Sequence, residues 1–266
     1  MGKSILTGLV LGGIVIASVF WHPLAICTVL GIACLIAIWE LAVAFKKADI
    51  ICPVLIVSIA SVMMMYSTYW GLDRMMITYI VGCVCIILYA SFERTVHERH
   101  CSYTSGIFVL SYLPLMLSFL VAIACDEHDG PLKLLLIFIA VVSSDTFGLL
   151  VGMKFGKTKM APVISPKKTV EGLIGSFVFT LIITYIYTYF VFGNIYFAGL
   201  WWWPLVFTIL AVSIGTFGDL TESVIKRDVN IKDIGGILPG HGGMLDRMDS
   251  ILLLGPIMYY FILYTL

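Results

Sequence analysis

The sequence predicts an all-α, polytopic integral membrane bundle of about nine transmembrane helices with its N-terminus in the cytoplasm. Three observations lead there. The chain is 61% hydrophobic with only 12% charged residues and has a mean hydropathy of +1.05, whereas soluble domains carry roughly 25% charged residues. Apolar runs long enough to cross a bilayer as helices recur along the whole chain. No alternating ten-residue segments occur, so a helical bundle satisfies the backbone in lipid where a barrel has no support.

The apolar runs predict spans at 4–20, 24–45, 50–66, 75–92, 106–125, 131–153, 172–192, 198–220 and 250–266. The first follows Lys3 and ends at "WHP" with no small-residue cleavage site, so it reads as a retained helix rather than a signal peptide. Glu40 lies inside the second, where a charged carboxylate at the centre of a span costs about 2.5–3.5 kcal/mol. It sits near the polar end, within reach of Lys46 and Lys47 for neutralisation. "SFERTVHERH" (91–100) mixes charges and reads as a solvated helix end. The seven cysteines form no CxxC pair and read as small packing residues rather than a disulfide framework or zinc site.

Net charge is zero, so bulk charge names no partner, but its distribution orients the chain. With nine spans threaded from a cytoplasmic N-terminus, only Arg74 and Lys133 of the 16 Lys and Arg face the far side. The positive-inside rule then puts every long polar loop in the cytoplasm. By loop length the chain divides into N-terminal helices (1–102), middle helices with a Lys-rich loop (103–171) and a C-terminal part (172–266) that carries the densest polar chemistry.

The Lys-rich loop is "SSDTFGLLVGMKFGKTKMAPVISPKKTVEG", 143–172. Asp145 falls inside the sixth span, and Gly148 and Gly152 follow at a spacing that permits close helix packing. Pro166 blocks a helix through Ser165, so a turn fixes Lys167 and Lys168. Thr169 and Gly172 open the next helix with Glu171 in its first turn. From charge alone, the five lysines of this loop are accounted for by orientation.

The second loop, 219–249, is richer. Continued as helix, Asp219, Glu222, Ser223 and Lys226 fall at i, i+3, i+4 and i+7 on one stripe. "IGGILPGHGG" then breaks the helix, and its glycines free backbone N–H groups for anion-binding turns. A final helix from about Met244 carries Asp246 and Asp249 at i, i+3. Acidic residues in a first turn complement the helix dipole, which explains these two but not the crowding of His241, Arg247, Lys226, Arg227 and Asp219 beside them. Three carboxylates among cations and glycine turns point to divalent metal plus phosphate, because Mg²⁺ takes one or two carboxylates and completes its octahedron with water and phosphate oxygens.

The stretch "SVIKRDVNIKDIGGILPGHGGMLDRMDS", 223–250, resembles the signature of the phosphatidate cytidylyltransferases, also called CDP-diacylglycerol synthases. Ser223, Lys226–Arg227, Lys232–Asp233, Pro239, His241–Gly242–Gly243, Asp246–Arg247 and Asp249 each fall where that signature has them. The 143–172 loop, with Asp145, Gly152, Gly156 and "SPKKTVEG", is similar to the family's other polar stretch. Residues 1–100 resemble it only in being hydrophobic, and the compact length is that of the bacterial form.

The resemblance implies CTP plus phosphatidate giving CDP-diacylglycerol and pyrophosphate for phospholipid biosynthesis, with Mg²⁺ and room for a second metal ion. It implies Asp219 and Asp246 as principal metal ligands meeting over shared metal, with Asp249 supporting. Lys226, Arg227, His241 and Arg247 would act on phosphate oxygens. Asp145, Ser165, Lys167, Lys168, Ser223, Lys232, Gly242 and Gly243 would bind substrate. It further implies an inner-membrane enzyme with a cytoplasmic active site, a homodimer, and no nucleic-acid partner. A CDP-alcohol phosphotransferase would show an Asp-Gly-x-x-Ala-Arg run, which "DRMD" does not provide. An ion or proton-coupled transporter using Asp145, Asp219 and Glu40 would place them near the midplane, whereas these carboxylates cluster towards one surface.

Overall fold

The computed structural model describes residues 2–93, 95–193, 199–231, 234–235 and 242–265, with side chains described from Val10 onward except Leu11. Among these residues nine apolar helical segments match the nine expected spans. Seven are long and apolar enough to cross a membrane; the other two are Gly2–Trp21, of 20 residues, and Val54–Thr68, of 15. The chain is a multi-pass helical membrane protein. It forms two compact units, each discontinuous in sequence: residues 1–131 with 225–248, and residues 132–224 with 249–266.

The first unit contains α1 (Gly2–Trp21), α2 (Pro23–Lys47), α3 (Val54–Thr68), α4 (Leu72–Ser91), α5 (Val96–Leu110) and α6 (Met116–Ala124). His22 caps α2 by accepting the Leu24 N–H, and Pro23 takes the first helical position, where no N–H is needed. Helix α2 buries Ile26, Leu30, Ile38 and Leu41, and the Cys27 thiol donates to the Met65 carbonyl of α3. The 15 residues of α3 span only about 22 Å at 1.5 Å per residue, because Pro53 bounds one end and Gly71 (φ +124°) follows the other. Helix α5 starts ten residues before the apolar run, in the charged stretch expected to be a solvated helix end. Thr95 and Glu98 close a reciprocal capping box there. Pro114 sits in a wide π turn, Ser111–Leu115, between α5 and α6. A proline lacks the N–H and collides with the carbonyl four residues back, and the wider turn absorbs both defects.

The second unit contains most of α7 (Gly130–Phe155), a small antiparallel hairpin of β1 (Lys159–Ala161) and β2 (Ser165–Thr169), then α8 (Val170–Val191), α9 (Trp203–Asp228) up to Val224, and α11 (Leu254–Thr265). Among the described residues the hairpin departs from all-α; Pro166 permits it because β2 has no strand beyond it to receive a missing N–H. Thr169 caps α8 as expected, accepting the Gly172 N–H at 3.2 Å. Helices α7 and α8 meet along Gly148, Gly152, Gly172 and Gly175: a Cβ on Gly175 would stand 2.6 Å from Val151, and one on Gly172 2.8 Å from the Gly148 carbonyl. The glycines of this loop therefore serve packing. Ser176 donates to the Ser144 carbonyl across the same seam at 2.7 Å. Trp203 stacks on Phe207 and donates its indole N–H to Thr265 at 2.7 Å.

Helix α9 runs unbroken past Asp219 to Asp228, so the polar stripe read from spacing exists. The last helix begins close to the expected Met244, with α10 at Leu245–Leu252, and breaks before α11. Pro256 explains the break: it cannot donate to the Leu252 carbonyl.

Candidate active site

In the second unit, the hairpin and α9 meet through a lysine and an aspartate. Lys168 on β2 lies 2.8 Å from Asp219 Oδ2, with both side chains partly exposed (21% and 34%). The same ammonium donates to the Thr216 carbonyl one turn earlier, at 3.2 Å. Successive strand residues point to opposite faces, and Lys167 is exposed. Only one of the two lysines expected to reach in therefore addresses Asp219. Ser165 pairs with Ala161 at the start of β2, and the Ser223 hydroxyl stands 3.5 Å from Asp219 Oδ1. Glu171, in the first turn of α8, accepts the N–H groups of Lys157 and Thr158 at 3.1 Å each, tying the lysine loop to the helix start.

Around Asp249 the second unit gathers further acid. Asp249 is buried, accepts the Ser250 N–H at 2.6 Å and shares a side-chain hydrogen bond with Glu222. Asp219 and Asp145 both act on it electrostatically, and the Ser250 hydroxyl reaches Asp145 Oδ1 at 3.5 Å. Carboxylates gathered this way repel unless a proton is shared, as in the Asp249–Glu222 hydrogen bond, or a cation joins them. Glu222, only 1% exposed, belongs to this group although its sequence position marked it merely as part of the α9 stripe.

In the first unit, Asp246 is held from both sides. Lys226 Nζ lies 2.5 Å from its Oδ1, and the Gly243 N–H donates to its Oδ2 at 2.8 Å. Gly242 has φ +81°, and a Cβ there would stand 2.9 Å from the same Oδ2, so two requirements reserve that position for glycine. Both signature glycines thus build the seat of Asp246. Arg227 and Arg247 are exposed. Lys232 and His241 lie outside the described residues, as do Asp233 and Pro239.

Spacing also left the partner of Glu40 unread. Glu40 is 1% exposed, and its Oε2 accepts the N–H of Leu245, the first residue of α10, at 3.2 Å. The neutralisation expected from Lys46 or Lys47 treats this residue as local, whereas its contact lies 205 positions away.

Oxygen donors of the kind Mg²⁺ takes are present in each unit. Asp219, Asp246 and Asp249 are hard oxygen donors, and the lysines on Asp219 and Asp246 mark where positive charge is already favoured. Among the described residues no three such donors are grouped so as to hold a metal ion; Mg²⁺ itself takes one or two carboxylates and keeps water and phosphate in the rest of its shell.

The fold is that of a multi-pass membrane protein, and in each of its two units a lysine meets an aspartate. The chain belongs to the cytidylyltransferase family, whose pattern matches residues 2–265. It is similar to the phosphatidate cytidylyltransferase of Mycobacterium bovis, at 31% identity over 94% of this chain and 84% of that protein. Proteins of the same name from Staphylococcus haemolyticus (42% identical over 50% of this chain and 49% of that protein) and Thermotoga maritima (38% identical over 56% and 55%) match shorter stretches.

Proposed function

We propose that the chain transfers a cytidylyl group from CTP to phosphatidate, releasing pyrophosphate and forming CDP-diacylglycerol for phospholipid biosynthesis. The observation that carries this reading is the near-full-length similarity to proteins named phosphatidate cytidylyltransferase, in a chain where Lys168–Asp219 and Lys226–Asp246 pair cations with carboxylates.

In the reaction a phosphate oxygen of the lipid forms a bond to the α-phosphorus of CTP. The bond from that phosphorus to the bridging oxygen breaks, and the electron pair leaves with pyrophosphate. Such a transfer needs positioning and charge neutralisation rather than a covalent enzyme intermediate. Asp219 and Asp246, supported by Asp249, would hold Mg²⁺, with a second ion accommodated among the same acids. Bound metal supplies Lewis-acid stabilisation of charge on the attacked and departing phosphates. Lys226, Arg227, His241 and Arg247 bind phosphate oxygens from the signature loop, and Lys168 does so from the hairpin. Ser165, Ser223, Lys232, Asp145, Gly242 and Gly243 shape the remaining substrate contacts. The reading includes a cytoplasmic active site in the inner membrane, where soluble CTP meets a lipid held in the bilayer, and a homodimer, the assembly that the family resemblance implies.

Purified protein given phosphatidate, Mg²⁺ and each of the four nucleoside triphosphates tests the reading. CDP-diacylglycerol and pyrophosphate should appear in equal amounts with CTP and be scarce with the others. Turnover of none of them would overturn the proposal.

A further inference from the structure

We propose that Glu40 is a positioning residue that fastens the signature loop to α2 and so sets the place of Asp246; this rests on the cytidylyltransferase reading above. Four observations within the first unit carry it. Glu40 is buried in an otherwise apolar helix, a costly place for a carboxylate unless the protein uses it. Its Oε2 accepts the Leu245 N–H at 3.2 Å, one of the donors that a helix start leaves without an internal partner, at the end where the dipole favours negative charge.

The loop glycines close on the same carboxylate from both sides. A Cβ on Gly235 would stand 2.0 Å from Glu40 Oε1, and one on Gly243 2.8 Å from Oε2 and 3.0 Å from the Gly235 nitrogen. Gly235 and Gly243 bracket the middle of the signature, so one side chain grips both ends of that segment. The grip is one residue from the seat of Asp246: the Gly243 N–H donates to Asp246 Oδ2, and Leu245 is its chain neighbour. Lys226 completes the arrangement on Oδ1. Glu40 acts through the backbone at 243–245.

The test compares Glu40→Gln, whose carbonyl still accepts the Leu245 N–H, with Glu40→Leu, which cannot, in full-length protein purified in detergent. Hydrogen exchange is read for peptides covering 242–248, with peptides from α3 and α4 as internal controls, and kcat and KM for CTP are measured in parallel. The leucine variant should exchange at least tenfold faster in 242–248 with α3 and α4 unchanged. Its kcat should fall at least tenfold with KM altered less than threefold, and glutamine should restore most of both. Three results would overturn the proposal: unchanged exchange in the leucine variant, a rise shared equally by α3 and α4, or equal losses with glutamine and leucine. The exchange arm needs no turnover, so a wild-type protein inactive towards CTP would sink the reaction assignment while leaving the Glu40 contact separately decided.

Discussion

Lys168 of the hairpin stands 2.8 Å from Asp219 of α9, while its neighbour Lys167 occupies the opposite face of the same strand. One ammonium therefore sits where the phosphate chemistry is proposed, and the other faces away. Lys168→Gln should lower turnover by about 10²-fold, the scale of losing one donor to a developing phosphate charge. Lys167→Gln should cost far less, and both variants should insert normally because Lys154, Lys157 and Lys159 remain to hold the loop inside. Equal effects of the two changes, measured as CTP-dependent product formation, would contradict the distinction drawn from the strand.

Asp219→Asn and Asp246→Asn are each expected to remove most activity without unfolding the protein. If the two share metal, the double variant should be little worse than either single one, since residues acting as a unit are not additive. Chelation by EDTA should abolish turnover, and added Mg²⁺ should restore it. Multiplicative losses in the double variant would separate the two aspartates into independent roles.

The α7–α8 seam makes a prediction about stability alone. Gly175→Ala pushes a methyl group to 2.6 Å from Val151 and should cost about 1–3 kcal/mol, as overpacking does. Adding Val151→Ala should recover only part of the loss, because it removes the two methyl groups at 2.6 and 2.7 Å but keeps the Val151 Cβ at 2.6 Å. Thermal unfolding of the purified variants reads both effects, and a neutral Gly175→Ala would mean the seam is looser than described.

Orientation is open to direct chemistry. Cysteines placed at Thr158 or Val163, both exposed near the hairpin, should react with an impermeant maleimide only when the cytoplasmic side is opened. One placed at Glu127, exposed in the turn before α7, should react from outside intact cells. Reversal of that pattern would turn the whole assignment over.

Much of this architecture is legible in the sequence because bilayer length and hydropathy act locally: each apolar run declares its own helix. Caps are legible for the same reason, as Thr169 and Gly172 show. Pro114 is different, since whether a proline kinks, ends or widens a helix depends on what packs around it. Glu40 shows the limit most clearly. Its insertion cost can be read from its neighbours, but the amide that uses its charge lies on a helix 205 positions later, and no periodicity connects the two. Gly235, read as a turn residue, turns out to be small because Glu40 occupies its side-chain space.

One close crossing in the second unit is between main chains. Gly218 meets the Asp249 carbonyl so tightly that a Cβ would come to 2.4 Å of that oxygen, and the residues at this crossing are the ones that carry the acids, with Asp219 next to Gly218 and Asp249 itself opposite. A helix crossing set by side chains can slide as those side chains change rotamer; one set by backbone against backbone has no such slack. Membranes thin and thicken with lipid composition and temperature, and embedded helices answer by tilting. The spacing of Asp219 from Asp249 should be insulated from that strain, which leaves an enzyme that helps determine its own bilayer's composition with a gauge the bilayer does not readily bend.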